Sequence, residues 1–211
     1  MFNCKEIDGY QWVKVYLHER PGSRNTTWKG PRNETSGDPW CYQTGAGDAQ
    51  VKRQPVPPML AALVQAGILG VDGKEFACLE KCPSCGGEVS GYDVKERKFA
   101  VIKEDEMMKT VKVRVKRFSC RECSLVSPAI APFYPDTRMG SPIVDLCLIL
   151  SREMPASRVA RILEDFSLVV DRGTVRNYAR RDFGVIPVTG VYGFSIPQSL
   201  MALSLMGMQA P

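Results

Sequence analysis

Cys82-Pro83-Ser84-Cys85-Gly86-Gly87 opens, and Phe118-Ser119-Cys120-Arg121-Glu122-Cys123 closes, the stretch whose reading decides the fold. Each end is a Cys-x-x-Cys pair. At that spacing one tight turn aims two thiolates at one ion. Two such turns complete the tetrahedral four-sulfur set that zinc takes in structural sites. Gly86 and Gly87 suit a positive-φ turn that directs backbone N–H groups toward the sulfurs. Disulfides are the competing reading. The start, Met1-Phe2-Asn3-Cys4-Lys5-Glu6, has no apolar export segment, and the pairs stand far apart in sequence, so zinc is favoured. Residues 86–119 exceed the roughly 15–20 residues that commonly separate such pairs. An extended hairpin between the two turns would absorb the excess.

The insert reads as that hairpin. Lys98 to Lys103 and Thr110 to Phe118 are predicted strands, with Glu104-Asp105-Glu106 in their connection. In the second strand Val111, Val113 and Val115 alternate with Lys112, Arg114 and Lys116. One face therefore packs and the other is a row of cations. Between Lys95 and Arg117 nine basic residues oppose four acidic ones, leaving +5. Lys112, Arg114 and Lys116 are candidate phosphate contacts. The same row also suits a solvated strand face on which lysines block edge pairing. The residues leave both readings open.

Outside this stretch the chain divides into segments. Residues 1–54 are loop-rich, with one predicted strand from Tyr10 to His18 and two tryptophans, Trp28 and Trp40. Cys4, Cys41 and His18 make a weak second metal set. Residues 55–77 hold a proline-rich lead-in and a short apolar helix from Met59 to Leu69, stopped near Gly70 and expected to pack on the zinc module. Residues 78–127 are the ribbon. Cys78, four residues before Cys82, is a possible substitute ligand. Residues 128–183 begin with a proline-rich connector and continue as three helical patterns. Residues 184–211 contain no Lys, Arg, Asp or Glu, with short extended pieces and a predicted helix from Ser199 to Met206.

The three helical patterns carry the recognition argument. Ser141-Pro142 is a helix opening, followed by a stripe of Ile143, Leu146, Cys147 and Leu150. Pro155 opens a second helix with Val159, Ile162, Leu163 and Phe166 inward. Asp171 caps a third, Arg172 to Asp182, with Val175, Tyr178 and Ala179 inward. Its outer surface carries Arg172, Thr174, Arg176, Asn177, Arg180 and Arg181. Arginine pairs with guanine and asparagine with adenine through two hydrogen bonds each, and Thr and Arg also hold phosphates. A solvated surface helix is the plainer alternative; the matching helix before it favours double-stranded DNA.

Ribbon and helices in this order resemble the N-terminal DNA-binding region of prokaryotic insertion-sequence transposases. The resemblance runs from about Glu80 to Phe183. It rests on the two cysteine pairs, on Ala156-Ser157-Arg158-Val159-Ala160-Arg161-Ile162-Leu163, and on Gly173-Thr174-Val175-Arg176-Asn177-Tyr178-Ala179-Arg180-Arg181. It implies an α+β protein: a zinc ribbon, then a helix-turn-helix module. The family's three-carboxylate catalytic domain has no counterpart in residues 184–211. The turn between the second and third helices is also longer than the usual 3–4 residues.

The expected protein is thus a non-catalytic, transposase-like DNA-binding protein, not an enzyme. Its zinc ligands are Cys82, Cys85, Cys120 and Cys123. The alternative is a zinc-ribbon interaction module, or a transcription-associated factor docking on protein machinery. A net charge of +5 permits a polyanionic partner without requiring one. The apolar tail is a candidate surface for self-association or for a separate catalytic chain. Eight cysteines grouped around doublets suit a reducing, cytoplasmic setting, and no stretch reads as a membrane span.

Overall fold

The computed structural model describes residues 55–104 and 106–208. The expected strand from Tyr10 to His18, both tryptophans named above, and the Cys4/Cys41/His18 set lie outside the described residues. The architecture is mixed α+β.

The insert between the cysteine pairs forms a long hairpin. Strand β2 (Val89–Glu104) pairs antiparallel with β3 (Met107–Cys120), from Val89 opposite Cys120 to Glu104 opposite Met107. Both strands run further toward the cysteines than expected. Two short strands complete the sheet on the far side of β3: β1 (Glu75–Phe76), parallel, and β4 (Val126–Pro128), antiparallel. The alternation in β3 is observed. Val111, Val113 and Val115 are buried, and Lys112 and Arg114 are exposed.

Helix α1 (Pro58–Leu69) starts with proline and ends at Gly70, as its sequence indicates. Its buried side, Leu60, Val64 and Ile68, meets chiefly the last helix, α5 (Gln198–Met208). The expectation that it packs on the ribbon is thus corrected. Both helices lack charges, so each covers the apolar surface that the other would otherwise expose. Between them in sequence come α2 (Ser141–Ser151), α3 (Ala156–Asp165), α4 (Arg172–Ala179), and a small hairpin of β5 (Val188–Val191) and β6 (Phe194–Pro197). Tyr192 and Gly193, both at positive φ, make its two-residue turn.

Helix α2 is the centre of the helical half. Ser141 through Cys147 are all buried, so the expected one-sided stripe is a helix enclosed on nearly every side. Ser141 does not cap it: Gly140 is the cap residue, and Ser141 is the first, buried helical residue. Residues 128–140 are packed as well. Phe133 stacks edge-on against Phe99 with ring centroids 5.8 Å apart, and the Arg97 guanidinium lies 3.9 Å over the Phe133 ring. Gly140 donates its N–H to the Phe99 carbonyl at 2.8 Å, and a β-carbon there would lie 2.2 Å from the Phe99 ring. One hydrophobic cluster therefore runs from Leu60 through the hairpin to Leu203.

Inside that cluster Asp145 is buried. It accepts hydrogen bonds from the Tyr134 hydroxyl and the Ser199 hydroxyl, each at 2.6 Å. Burial raises its pKa above the usual carboxylate range, and the two hydrogen bonds oppose that shift. With the folded pKa above the unfolded one, folding takes up a proton in the window between them. Stability from this site is present at low pH and lost as pH rises through the folded value. Asp145→Asn, whose oxygen can serve Tyr134 and whose amino group can serve Ser199, is expected to remove this pH dependence with little loss at pH 7. Asp145→Ala removes the acceptor of both hydrogen bonds and is expected to cost about 2–4 kcal/mol. Denaturant titrations between pH 4 and 8 check both; equal losses in the two variants would contradict the hydrogen-bond account.

Candidate functional site

The two cysteine turns are built alike. Gly86 N–H donates to Cys82 O at 2.9 Å and Cys82 N–H to Gly87 O at 3.0 Å. In the second turn Ser124 N–H donates to Cys120 O at 3.1 Å and Cys120 N–H to Leu125 O at 3.0 Å. The fifth residue of each turn lies at positive φ: Gly86 at 76° and Ser124 at 58°. The glycine was legible in the sequence. Ser124 was not, because a non-glycine residue accepts this conformation at a cost of about 1–2 kcal/mol.

The turns bring all four sulfurs within 4.8 Å of one another. Cys82 and Cys123 are 3.6 Å apart, Cys85 and Cys120 3.4 Å, and Cys85 and Cys123 3.5 Å. A tetrahedral ion with bonds to sulfur of about 2.3 Å requires sulfur separations of about 3.8 Å. The three separations just given lie within a few tenths of an ångström of that value. All four are free cysteines, and Cys78 lies outside the group. Among the described residues this is the one group of three or more potential metal ligands.

Crowding dictates the acid–base state of the thiols. Backbone N–H groups of Cys85 and Ser84 aimed at the Cys82 sulfur lower its pKa to about 7. At Cys85 the Gly87 N–H pulls the same way, yet Cys120 and Cys123 outweigh it and push the thiol up to about 12. Cys123 is also raised: the Leu125 N–H and Cys85 lower it, while burial, Cys120 and Cys82 prevail. Four sulfurs this close ionise together when a cation compensates their charge. Four protein ligands would leave that cation no open position for a substrate or water.

Four cations of the hairpin are paired with carboxylates. Lys109 pairs with Asp72 at 3.4 Å, Lys112 with Glu96 at 3.0 Å, Arg114 with Glu75 at 3.4 Å, and Arg117 with Asp93. Arg117 holds the Asp93 carboxyl below its usual pKa. The Lys116 ammonium lies 5.4 Å from the centre of the Phe118 ring. Exposed pairs of this kind are worth less than about 1 kcal/mol each, so their effect is on the field more than on stability. Nor does β3 present a bare edge here. Gly73 N–H reaches Lys112 O, Arg114 N–H reaches Lys74 O, and Ala129 N–H reaches Lys116 O. Lys112 and Arg114 are thus paired with carboxylates on an exposed face, and Lys116 lies against Phe118.

The helices present their cations differently. The Asp171 carboxylate caps α4, accepting from the Thr174 N–H at 2.9 Å and the Thr174 hydroxyl at 2.5 Å. Those bonds lower the Asp171 pKa. Val175 and Tyr178 face inward as expected. Ala179 is exposed, and the helix ends there instead of at Asp182. Arg172, Arg176, Asn177 and Arg180 are exposed, and their side chains make no hydrogen bond or ion pair among the described residues. Two expected contact residues have internal partners. The Thr174 hydroxyl is committed to the cap. Arg181 donates to Pro135 O at 2.9 Å and to Asp136 O at 3.2 Å, with its guanidinium 4.9 Å from the Phe183 ring centre. Sequence reasoning passed over Arg158 and Arg161 of α3, which are likewise exposed and unpaired among the described residues. Their three-residue spacing on the side away from buried Val159 and Leu163 was the available signal.

Comparison with protein-family models, curated proteins and solved structures finds no match. Among the described residues no helix is long and apolar enough to cross a membrane.

Proposed function

We propose that this chain is a non-catalytic, zinc-stabilised protein that binds duplex DNA. In this reading the hairpin with its two cysteine turns is a zinc ribbon, and α2, α3 and α4 form a helix-turn-helix module. Zinc suits the site because four thiolates at near-tetrahedral spacing match its preferred structural coordination. The order of parts is that of the transposase region described above. The observation that carries the reading is the contrast in charge. Four of the hairpin's cations, Lys109, Lys112, Arg114 and Arg117, have carboxylate partners, whereas Arg172, Arg176 and Arg180 stand beside Asn177 with none. Unmatched guanidiniums beside a side-chain amide suit phosphates and base edges. Arg176 and Asn177 are the base-reading candidates, and Arg172 and Arg180 the phosphate contacts.

A second reading has its own observation. Tyr92, Val94, Leu125 and Val126 are exposed apolar side chains toward the cysteine end of the sheet. A ribbon docking on protein machinery would use them.

Salt separates the two readings. Binding of the zinc-loaded protein to a fluorescent duplex, selected from a random pool, is expected to weaken steeply with salt as counterions return to the phosphates. Asn177→Ala is expected to narrow the gap between selected and scrambled duplexes by about 1–3 kcal/mol. Duplex binding that ignores salt, or no binding with zinc in place, would transfer the case to protein docking.

A further inference from the structure

The outer edge of β2 is taken up by the helical module. The Phe99 carbonyl accepts from the N–H of Gly140, the cap residue of α2, at 2.8 Å. The Val101 carbonyl accepts from the Val169 N–H at 2.9 Å, and the Lys103 N–H donates to the Ser167 carbonyl at 2.8 Å. Ile102 and Leu168, both buried, make the bridge between these last two bonds. Three alternate residues of one strand thus hold the start of α2 and the turn before α4. That spacing is the rung spacing of a sheet edge.

This accounts for the length of the turn between α3 and α4. Ser167 sits at φ 63°, a left-handed conformation that carries the chain off α3 and onto the strand. Asp171, the cap of α4, follows Val169 by two residues. A free turn would leave the angle between α3 and α4 to their own packing. Here the backbone before α4 is hydrogen-bonded to a strand whose other side pairs with β3 from Ala100 to Glu104.

We propose that the outer edge of β2 is a positioning element for DNA recognition: Val101 and Lys103, through Ser167 and Val169, set the angle at which α4 is presented to the duplex. The proposal rests on the DNA-binding reading above. The clasp is made of backbone hydrogen bonds alone, so breaking it removes no cation. Its loss is therefore expected to change discrimination between sequences while leaving the salt-dependent attraction in place.

Val169→Pro tests this, since it deletes the N–H donated to Val101 and keeps every arginine. Zinc-loaded wild type and variant are titrated against selected and scrambled duplexes. The variant is expected to lose about tenfold or more in discrimination, the scale of one misplaced base contact, while its affinity for scrambled duplex stays within about threefold. A folded variant that discriminates as well as wild type overturns the clasp alone. Wild type that binds no duplex overturns the reading beneath it, and the proposal with it. Amide hydrogen exchange in the unmutated protein decides the matter should the variant not fold. Saturating duplex is expected to slow exchange at Val169 and Lys103 by about tenfold, because binding favours the clasped arrangement. Unchanged exchange at both amides overturns the proposal.

Discussion

Cys120→Ala is expected to purify with almost no zinc, against one zinc per chain in the unaltered protein. Cys120 is buried at the end of β3, and its sulfur stands 3.4 Å from that of Cys85. Removing it breaks the closed four-thiolate set. Structural zinc contributes on the order of 10–16 kcal/mol of binding free energy, and in small metal modules that energy is folding energy. The loss should be felt unevenly along the hairpin. From Gly91 to Glu96, β2 is exposed on both faces, and pairing with β3 is what holds it among the described residues. From Phe99 to Ile102 the same strand is anchored in the core against Val111 and Val113. Amides of residues 89–96 should therefore exchange far faster in the variant, and those of residues 99–103 should stay protected. Elemental analysis with hydrogen exchange by mass spectrometry checks both parts. Full zinc content in Cys120→Ala would remove this cysteine from the site. Uniform loss of protection would mean that the hairpin's two halves are one cooperative unit.

The local features of this fold were written in local sequence. The cysteine pairs flank one hairpin in sequence and meet at its open end because the insert between them alternates as a strand does, most clearly from Val111 to Lys116. Asp171 caps α4 because a carboxylate three residues before a helical N–H is what an open helix start accepts. What was missed depends on residues distant in the chain. Arg181 looked like a surface cation; its carbonyl partners lie some 45 residues earlier, at Pro135 and Asp136. Asp145 lies on a helix whose stripe was readable, yet its partners Tyr134 and Ser199 come from two other segments. The uncharged tail read as a surface for self-association or a separate chain because α1, which packs on α5, lies more than a hundred residues upstream. The end of α4 was overrun because Arg180, Arg181 and Asp182 give no stop signal before Gly184. For the cation row of β3, alternation fixed which side chains face out. The carboxylates facing them come from β1, β2 and Asp72, and so were set by strand register, not by alternation.

The second large effect concerns charge on the helices. A protein carrying Arg172→Ala, Arg176→Ala and Arg180→Ala together loses three unpaired exposed guanidiniums and no internal contact among the described residues. Each phosphate contact contributes about 0.9 to the slope of log affinity against log salt. If all three touch the duplex backbone, the slope flattens by about 2.7, and affinity near 0.1 M salt falls on the order of a thousandfold. If Arg176 reads a base instead, the flattening is about 1.8 and the rest appears as lost discrimination. The matched control is Lys112→Ala, Arg114→Ala and Lys116→Ala, which removes the same formal charge from the hairpin face where Lys112 and Arg114 already have carboxylate partners. The decisive measurement is the salt dependence of duplex binding for the unaltered protein and these two triple variants, with zinc content shown to be equal in all three. The account expects the helix variant to lose two to three contacts' worth of slope and the hairpin variant less than about one. A hairpin variant that loses the slope, beside a helix variant that keeps it, would contradict the account.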